Sequence, residues 1–496
     1  MKHETKPRTW SFYGRQAEIG ALGAMLSRGR FFFLRVTGRR RIGKTTLVLQ
    51  ALRVAGRERI AYLQVADADP AGVVASACEH LRLSGVDGAL PSDLQGLAAT
   101  VGRLVRAGWI VVLDEYQVFA RRPLYSFNSA LQFEVDRLRA PDAPVTTGGL
   151  ILLGSIQTEM DALLSGYRAP LFGRVTDVLH LDHLAPSEVA YVLARHGRLD
   201  GARFLFFWSL LQGIPKYWRD ANEVEALHAS RTMALERMFF SGTAPLSAEG
   251  TSWLLDELRG RYDPLLRYLA RCPGSSRADL NAHVLSVAGH TDPQVGAWLS
   301  ALEDRFGIVK RRNPAFTPPN ARAGRYFIDD NFLTAWLGAL ADPVAFIGVR
   351  DVKSLVAAAD TRLCALEGVA LERLVAALYH ERSVRGVGDF PVSNRVQGWW
   401  DRVGAEVDLV AQDAASRRLR VGSCKRSPDR LIGDLGRFDG HVQRLLKRHT
   451  ELADWSIEKV AIAPQLDDEH RLAIQRAGYL PQDLTDLLQG LVEVPD

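Results

Sequence analysis

The stretch Phe31–Leu52, FFFLRVTGRRRIGKTTLVLQAL, decides how this chain folds. Its first part is mostly apolar, which is typical of a buried parallel strand, and its last part has the composition of a helix. Between them, GRRRIGKT (Gly38–Thr45) matches the pattern GxxxxGK[ST] at every fixed position. The stretch therefore predicts a strand, a phosphate-binding loop and a helix in succession; the alternative is a glycine turn that arose by chance.

Each fixed position of this loop has a physical task. The two glycines let the backbone curl so that its N–H groups point at phosphate oxygens, and the following helix adds its positive N-terminal end. Lys44 is expected between the β- and γ-phosphates, and the Thr45 hydroxyl is expected to bind Mg²⁺. The residues predicted to contact nucleotide in this segment are Gly38, Arg39, Arg40, Arg41, Ile42, Gly43, Lys44, Thr45 and Thr46. The three arginines could instead extend into solvent.

A second segment, GWIVVLDE (Gly108–Glu115), has the pattern of an apolar strand that ends in two carboxylates. Asp114 is predicted to hold Mg²⁺ through water, and Glu115 to orient and deprotonate the attacking water. Many strands end in solvated acids, which is the alternative. The position of this pair, about seventy residues after the phosphate-binding loop, favours the functional interpretation.

A third strand is predicted at GLILLGS (Gly149–Ser155). A polar residue at its end can sense the γ-phosphate; Ser155 fits this role and Gln157 is a second candidate. The alternative is a serine that simply opens a loop. Because ligands of open parallel sheets bind beyond the carboxyl ends of the strands, we expect the three strand ends to meet in one crevice.

Six segments together resemble a known family. They are FYGRQAEIGAL (Phe12–Leu22), TGRRRIGKTTL, WIVVLDEYQ, LILLGSIQTEM, PLFGR (Pro170–Arg174) and QGIPKYW (Gln212–Trp218). In order and wording they resemble the archaeal-type ATPases, AAA+-like P-loop proteins close to the STAND and origin-recognition ATPases. The resemblance covers the chain from about residue 10 to its end. It implies ATP and Mg²⁺ as cofactors and ATP hydrolysis as the activity.

The resemblance also implies roles outside the loop. Phe12–Arg15 would lie near the adenine. Arg174 would reach a phosphate in its own site or in that of a neighbouring copy, so it is a catalytic candidate together with Lys44 and Glu115. If it acts in a neighbouring copy, the protein would form a homo-oligomer. Pro215 would be where a helical lid touches the nucleotide, with Lys216 as a second sensor. A surface salt bridge for Arg174 and a helix-breaking turn for Pro215 are the alternatives.

Beyond the first domain, helical composition predicts a lid over residues 184–245. Residues 250–340 then show three helical runs and a basic hairpin, IVKRRNPAFTPPNARAGRYFIDD, which is typical of a winged helix. Lys310, Arg311, Arg312 and Arg322 are candidates to contact phosphates of double-stranded DNA. A packing or interaction module is the alternative.

The last domain, residues 345–496, contains QGWWDRVGAEVDLVAQD followed by RRLRVGSCKR, which predicts a β-hairpin. This arrangement resembles the PD-(D/E)xK nucleases and implies a site of Glu372, Asp408 and Lys425. Ser423 occupies the position of the middle acid and is a poor ligand for a hard cation; Glu406 could compensate. An active metal-dependent nuclease and a degenerate domain that binds nucleic acid or a partner both remain open.

Composition limits the classes of protein to which this chain could belong. The chain has 496 residues, 47% hydrophobic and 24% charged, with a net charge of +5, which permits a nucleic-acid partner without requiring one. The four cysteines form no CxxC pair, so neither a zinc site nor a disulfide framework is predicted. The N-terminal MKHETKPRTW lacks the apolar core of a signal peptide, and no stretch is apolar enough for a membrane span, so a cytoplasmic protein is expected.

We therefore expect an α/β chain with a P-loop NTPase core over residues 10–183, a helical lid, a winged helix and a restriction-endonuclease-like α/β domain. The favoured function is an ATP-driven switch that couples nucleotide state to the downstream domains. An ATP-gated DNA nuclease and a non-enzymatic, ATP-binding regulator are the alternatives.

Overall fold

The computed structural model describes residues 10–155, 157–253, 262–288, 292–318, 321 and 323–493. They form two compact units. One comprises Gly14–His183, and the other comprises the described residues up to Tyr13 together with those from Leu184 onward. No helix of the described residues is long and apolar enough to cross a membrane.

The unit Gly14–His183 alternates strands and helices. Its helices are α1 (Gln16–Leu26), α2 (Lys44–Val54), α3 (Pro70–Leu83), α4 (Leu94–Arg106), α5 (Ser126–Arg139) and α6 (Gln157–Leu164). Its strands are β1 (Phe32–Gly38), β2 (Ile60–Gln64), β3 (Ile110–Asp114), β4 (Gly149–Gly154) and β5 (Asp177–Leu181). Local chemistry sets several helix starts: Asp69 and Asp93, for example, cap α3 and α4 by accepting a hydrogen bond from a first-turn N–H.

The five strands form one sheet in the order β2-β3-β4-β1-β5, and all pairs are parallel. Strand β4 lies between β1 and β3, so the ends of these three strands are neighbours at one edge. The predicted α/β fold with a parallel sheet is thereby confirmed, and its central strands are fully buried, as a sheet covered by helices on both faces requires.

The second unit begins with helices. They are α7 (Pro186–His196), α8 (Gly201–Leu211), α9 (Pro215–Glu223), α10 (Arg231–Leu235), α11 (Pro245–Trp253), α12 (Asp263–Arg271), α13 (Arg277–Ala288) and α14 (Asp292–Ser300). A small antiparallel sheet has the order β6-β8-β7; β6 (Ser275–Ser276) lies between α12 and α13, and β7 (Val309–Arg312) and β8 (Arg325–Ile328) follow α14. The short helices α15 (Asn331–Ala335) and α16 (Ala341–Ala345) lead into α17 (Val352–Val384).

The C-terminal part of this unit contains a mixed five-stranded sheet. Its elements are β9 (Gln397–Trp400), β10 (Glu406–Asp413), β11 (Arg418–Cys424), α18 (Pro428–Arg448), β12 (Ser456–Ala463), α19 (Asp468–Arg476), β13 (Leu480–Asp483) and α20 (Leu484–Leu488). The order is β13-β12-β11-β10-β9; β10 pairs antiparallel with both β9 and β11, whereas β11, β12 and β13 pair in parallel. One face of α18 packs on this sheet through Leu431, Leu435 and Phe438.

The loop between β7 and β8 packs against strand β9. Ala315 lies in the same core cluster as Trp399, and its N–H donates to the carbonyl of Gly398 at 2.9 Å. The indole N–H of Trp400 donates to the carbonyl of Ala323 at 2.9 Å. This hairpin therefore covers the edge strand of the C-terminal sheet, which would otherwise expose unpaired backbone groups.

Candidate nucleotide site

The loop after β1 adopts the curl that its glycines were predicted to allow. Gly38 and Gly43 have φ angles of 149° and 91°, and Arg41 between them has a φ of 68°. Glycine is required at the first position on steric grounds as well, because an added Cβ would lie 2.5 Å from the carbonyl oxygen of Leu181. Ile42 is buried and anchors the middle of the loop, while Gly43 ends it as the N-cap of α2.

The side chain of Lys44 folds back over the loop. Its Nζ donates to the carbonyls of Gly38 and Arg39 at 2.9 and 3.0 Å. Burial lowers the pKa of Lys44 to about 8, although the charges of Glu115 and Asp114 act in the opposite direction. A cation that is partly desolvated and held by two neutral carbonyls is well placed to exchange these partners for phosphate oxygens.

Asp114, at the end of β3, is held by three donors. Its Oδ2 accepts from the Thr45 hydroxyl at 2.5 Å and from the Tyr62 hydroxyl at 2.8 Å. Its Oδ1 accepts from the backbone N–H of Glu115 at 2.8 Å. Burial first, and then the charge of Asp114, raise the pKa of Tyr62 well above its ordinary value, so this hydroxyl keeps its proton.

Glu115 follows in a left-handed backbone conformation, with a φ of 57°. Its Oε2 accepts hydrogen bonds from the Ser155 hydroxyl at 3.2 Å and from the Gln117 side-chain amide. The same amide nitrogen lies 3.3 Å from the Ser155 hydroxyl. The acid after β3 and the serine after β4 are thus brought together by the neighbouring strand ends.

These donors fit Mg²⁺ with a triphosphate. Thr45 and Asp114 present hard oxygen ligands side by side, and Mg²⁺ in nucleotide sites typically uses one or two protein oxygens together with waters and phosphates. No cluster of three His, Cys, Asp or Glu side chains that could hold a metal ion occurs among the described residues.

The other predicted loop residues surround this centre. Arg40 and Thr46 are exposed, and Arg39 and Arg41 are partly buried. Arg15 approaches the loop from α1, because its guanidinium donates to the carbonyl of Asp182 at 2.5 Å and lies 3.5 Å from that of Ile42. The side chain of the second γ-phosphate candidate, Gln157, lies outside the described residues.

Arg174 forms a bidentate ion pair on the helix α5. Its Nε and Nη2 donate to the two carboxylate oxygens of Asp136 at 2.7 and 2.8 Å, and its Nη1 donates to the carbonyl of Phe172 at 3.0 Å. The structure therefore places it in a surface salt bridge, the alternative weighed for it, and its role at a phosphate stays a prediction. Contact with phosphate would require the Asp136 pair to open.

Pro215 and Lys216 belong to the second unit. Pro215 occupies the first turn of α9, where its fixed φ is favourable, and the ammonium of Lys216 pairs with Asp220 one turn later. Tyr13, from the segment predicted near adenine, bonds to His196 through its hydroxyl at 2.5 Å. The proposed nucleotide contacts of these residues stay predictions.

The three residues predicted for a nuclease-like site lie close together in the second unit. The Lys425 ammonium is 2.7 Å from Oδ2 of Asp408, and burial followed by the charge of Asp408 raises the pKa of Glu372 above its ordinary value. Ser423 is 2% exposed, and its hydroxyl lies 3.4 Å from the same carboxylate oxygen of Asp408. Glu406, the compensating candidate, is exposed and pairs with Arg325 at 2.6 Å.

Two of the basic side chains predicted to contact DNA already have an acidic partner near them in the chain. Lys310 and Arg312 both form ion pairs with Asp329, the latter at 3.1 Å, and Glu303 accepts from the backbone N–H of Arg311. Arg322 lies outside the described residues. Contact of Lys310 and Arg312 with DNA phosphates would therefore compete with the existing pairs.

Tyr62 and Gln117 were not identified from the sequence. Tyr62 lies on β2, two residues before the strand end, and only the adjacency of β2 and β3 places it beside Asp114. Gln117 is part of the segment WIVVLDEYQ, but nothing in that segment shows that its amide turns back to Glu115. Both depend on contacts between separate segments.

Comparison with known proteins places the fold. No family model matches the chain. An uncharacterized protein of Methanocaldococcus jannaschii is 24% identical over 417 residues, which cover 81% of this chain and 84% of that protein. The Walker-type ATPase of Pyrococcus abyssi superposes with a TM-score of 0.50 at 17% identity, over 68% of this chain and 99% of its own. The ORC2 protein of Aeropyrum pernix, solved with ADPNP and ADP, gives 0.46 at 16% identity, over 73% and 97%.

The likeness to the Pyrococcus protein shows a shared fold. The chain is thus an α/β protein with a parallel five-stranded sheet, and it shares its fold with that protein. At this level of identity the likeness carries no residue roles, substrates or partners, which have to be argued from the site itself.

Proposed function

We propose that this chain binds ATP with Mg²⁺ at the loop Gly38–Thr46 and hydrolyses it. The observation that carries the proposal is the meeting of two hydrogen-bonded pairs, Thr45 with Asp114 at 2.5 Å and Ser155 with Glu115 at 3.2 Å, at adjoining strand ends. A loop of this pattern followed by a helix N-terminus is an anion-binding arrangement, and the acids beside it supply what hydrolysis needs.

Each side chain of the site has a specific role in the proposed reaction. The loop N–H groups and the Lys44 ammonium bind the phosphates, and the Thr45 hydroxyl and the Asp114 carboxylate hold the metal, which when bound neutralises phosphate charge. Glu115 orients the attacking water and accepts its proton, while Ser155 contacts the γ-phosphate. The hydrogen bonds from Ser155 and Gln117 set the starting orientation of the Glu115 carboxylate.

Three further contacts belong to the proposal. Phe12–Arg15 would border the adenine, Pro215 would touch the nucleotide from the lid, and Arg174 would stabilise charge in its own site or in that of a second copy in a homo-oligomer. The close approach of Arg15 to the loop carbonyl of Ile42 supports the first. The permanent charge of an arginine and its forked geometry suit phosphate oxygens, which supports the last.

Downstream, we assign residues 184–245 to a helical lid, 250–340 to a winged helix and 345–496 to a nuclease-like domain. The helices α12 to α14 together with the small sheet β6-β8-β7 support the winged helix, for which double-stranded DNA is the candidate partner. Nucleotide state at the loop would then be the signal that a switch transmits to these domains.

For the C-terminal domain we infer a nuclease-like fold without nuclease activity. The cluster of Glu372, Asp408 and Lys425 supports the likeness, since it joins an acid on one strand to a lysine after the next. Ser423 argues against catalysis, because a buried hydroxyl stands where the second strand carboxylate would complete a metal site. The ATP-gated nuclease is therefore the alternative function.

The direct test is ATP turnover by purified protein and two variants. Glu115→Gln removes the base while keeping the size of the side chain, so turnover should fall at least a hundredfold with ATP still bound. Lys44→Ala removes a phosphate contact, so ATP affinity and turnover should both fall. Glu79→Gln is the matched control, because Glu79 is an exposed acid on α3 of the same unit, and its turnover should equal that of the wild type.

Two outcomes would contradict the proposal. Equal turnover in the wild type and in both site variants would place hydrolysis elsewhere in the chain. Tight ATP binding without turnover in the wild type would instead favour the non-enzymatic regulator.

A further inference from the structure

Tyr62 is a side chain of the unit Gly14–His183 that contacts Asp114 from the neighbouring strand β2. Tyr62 is partly buried on β2, and its hydroxyl donates to Oδ2 of Asp114 at 2.8 Å. The parallel register aligns Tyr62 with Val112 and Gln64 with Asp114. Because alternate residues of a strand share a face, Tyr62 and Asp114 point to the same side of the sheet.

That side is not the one occupied by the large core. The alternating neighbours Ala61, Leu63, Val111 and Leu113 belong to the apolar cluster that also contains residues of α3, α4 and α5. Tyr62 therefore leaves this core and reaches the strand ends, where its hydroxyl meets a carboxylate rather than solvent. A tyrosine ring kept for packing alone would not need that hydroxyl.

The Tyr62 hydroxyl completes the set of donors around Asp114. Oδ2 accepts hydrogen bonds from the hydroxyls of Thr45 and Tyr62, and Oδ1 accepts one from the Glu115 N–H. Because both carboxylate oxygens are held, the orientation of the carboxylate plane is fixed. Thr45 is the group proposed to ligate the metal, and its hydroxyl can donate its hydrogen to Asp114 while its oxygen lone pair faces the metal. Without Tyr62, Oδ2 would keep only the donor that must also serve the metal.

We propose that Tyr62 is a positioning residue for the metal half of this site. It holds the Asp114 carboxylate in the orientation in which that group can accept hydrogen bonds from metal-bound water. Partners that orient metal-binding groups in this way typically change metal affinity by about tenfold to a hundredfold when they are removed. The inference rests on the proposed ATP and Mg²⁺ site and adds a residue to it.

The test is Tyr62→Phe, which removes the hydroxyl and keeps the ring. Nucleotide affinity is measured first in EDTA and then across a Mg²⁺ titration, together with turnover and the melting temperature at each Mg²⁺ concentration. Affinity in EDTA should stay within about twofold of the wild type, since the phosphate-binding loop is untouched. The Mg²⁺ concentration for half-maximal turnover, and for half of the ATP-dependent rise in melting temperature, should increase about tenfold or more.

Tyr167→Phe is the matched control, because Tyr167 lies in the same unit and is 87% exposed; its Mg²⁺ requirement should equal that of the wild type. At saturating Mg²⁺ the turnover of Tyr62→Phe should recover, which a merely structural defect would not allow. An unchanged Mg²⁺ requirement in Tyr62→Phe, or a parallel loss of affinity in EDTA, would overturn the role of Tyr62 while leaving the ATP site intact. Absence of nucleotide binding by the wild type would overturn both.

Discussion

Raising the pH from about 7.5 to about 9.5 should weaken ATP binding through one side chain, Lys44. Its ammonium is buried against the carbonyls of Gly38 and Arg39, and burial lowers its pKa to about 8. Bound phosphate would raise that pKa again, because a negative charge stabilises the ammonium. Binding of ATP above pH 8 therefore requires Lys44 to take up a proton. The affinity for ATP is highest below the pKa of Lys44 in the protein without ATP, and it decreases as the pH rises through that pKa.

The size of the effect follows from this pKa. With a value of about 8, Lys44 is protonated in roughly three quarters of free molecules at pH 7.5 and in roughly 3% at pH 9.5. The dissociation constant should therefore increase roughly 25-fold over this range, about 1.9 kcal/mol, as long as the bound form keeps its proton. The phosphates themselves are already ionised at the lower pH, since their second pKa lies near 6.

The assay is equilibrium titration with ATP in EDTA at half-unit steps of pH. EDTA removes Mg²⁺, so the titration of Lys44 is measured without any contribution from pH-dependent changes of the metal ion. Lys44→Arg is the control: a guanidinium stays charged throughout, so its affinity, whatever its absolute value, should not change with pH. A flat profile for the wild type, or an equal slope in the arginine variant, would refute the reasoning about Lys44.

Two other predictions concern the second unit. Gly436→Ala should raise the free energy of unfolding by about 0.5–1 kcal/mol in chemical denaturation, because Gly436 lies on the exposed face of α18 and an added Cβ meets no atom within 4 Å; a destabilised variant would show that this face is covered in solution. Plasmid and linear DNA should stay intact with Mg²⁺ or Mn²⁺, because Ser423 supplies no carboxylate beside Asp408. Cleavage that disappears in Asp408→Ala and Lys425→Ala would contradict this and restore the nuclease alternative.

Much of the fold could be predicted from the sequence because it depends on patterns of residues that are close together in the chain. The spacing of the glycines and Lys44 predicts a loop between strand and helix, and the structure has β1 ending at Gly38 and α2 beginning at Lys44. The apolar run before Asp114 predicts β3 for the same reason, since a strand buried on both faces needs an uninterrupted apolar sequence. These features need only neighbouring residues, and the parallel sheet follows from their alternation with helices.

The hydrogen-bond and ion-pair partners of the predicted side chains were harder to predict from the sequence. Arg174 was expected at a phosphate and is paired with Asp136, thirty-eight residues earlier in the chain. Lys310 and Arg312 of the β7–β8 hairpin are both paired with Asp329. A sequence shows that a cation is present but not which anion reaches it first. That choice depends on distances between segments that no periodicity records.

The sequence by itself determined the chemical inventory of this protein: a curled loop with Lys44 and Thr45, two acids after an apolar strand, and a serine after another. Only the tertiary structure decided how these groups are connected. The insertion of β4 between β1 and β3 brings Ser155 to Glu115, and the pairing of β2 with β3 brings Tyr62 to Asp114. Strand order arises from the packing of the whole sheet between its helices, and hydrogen bonds between strand ends exist only once that order is formed.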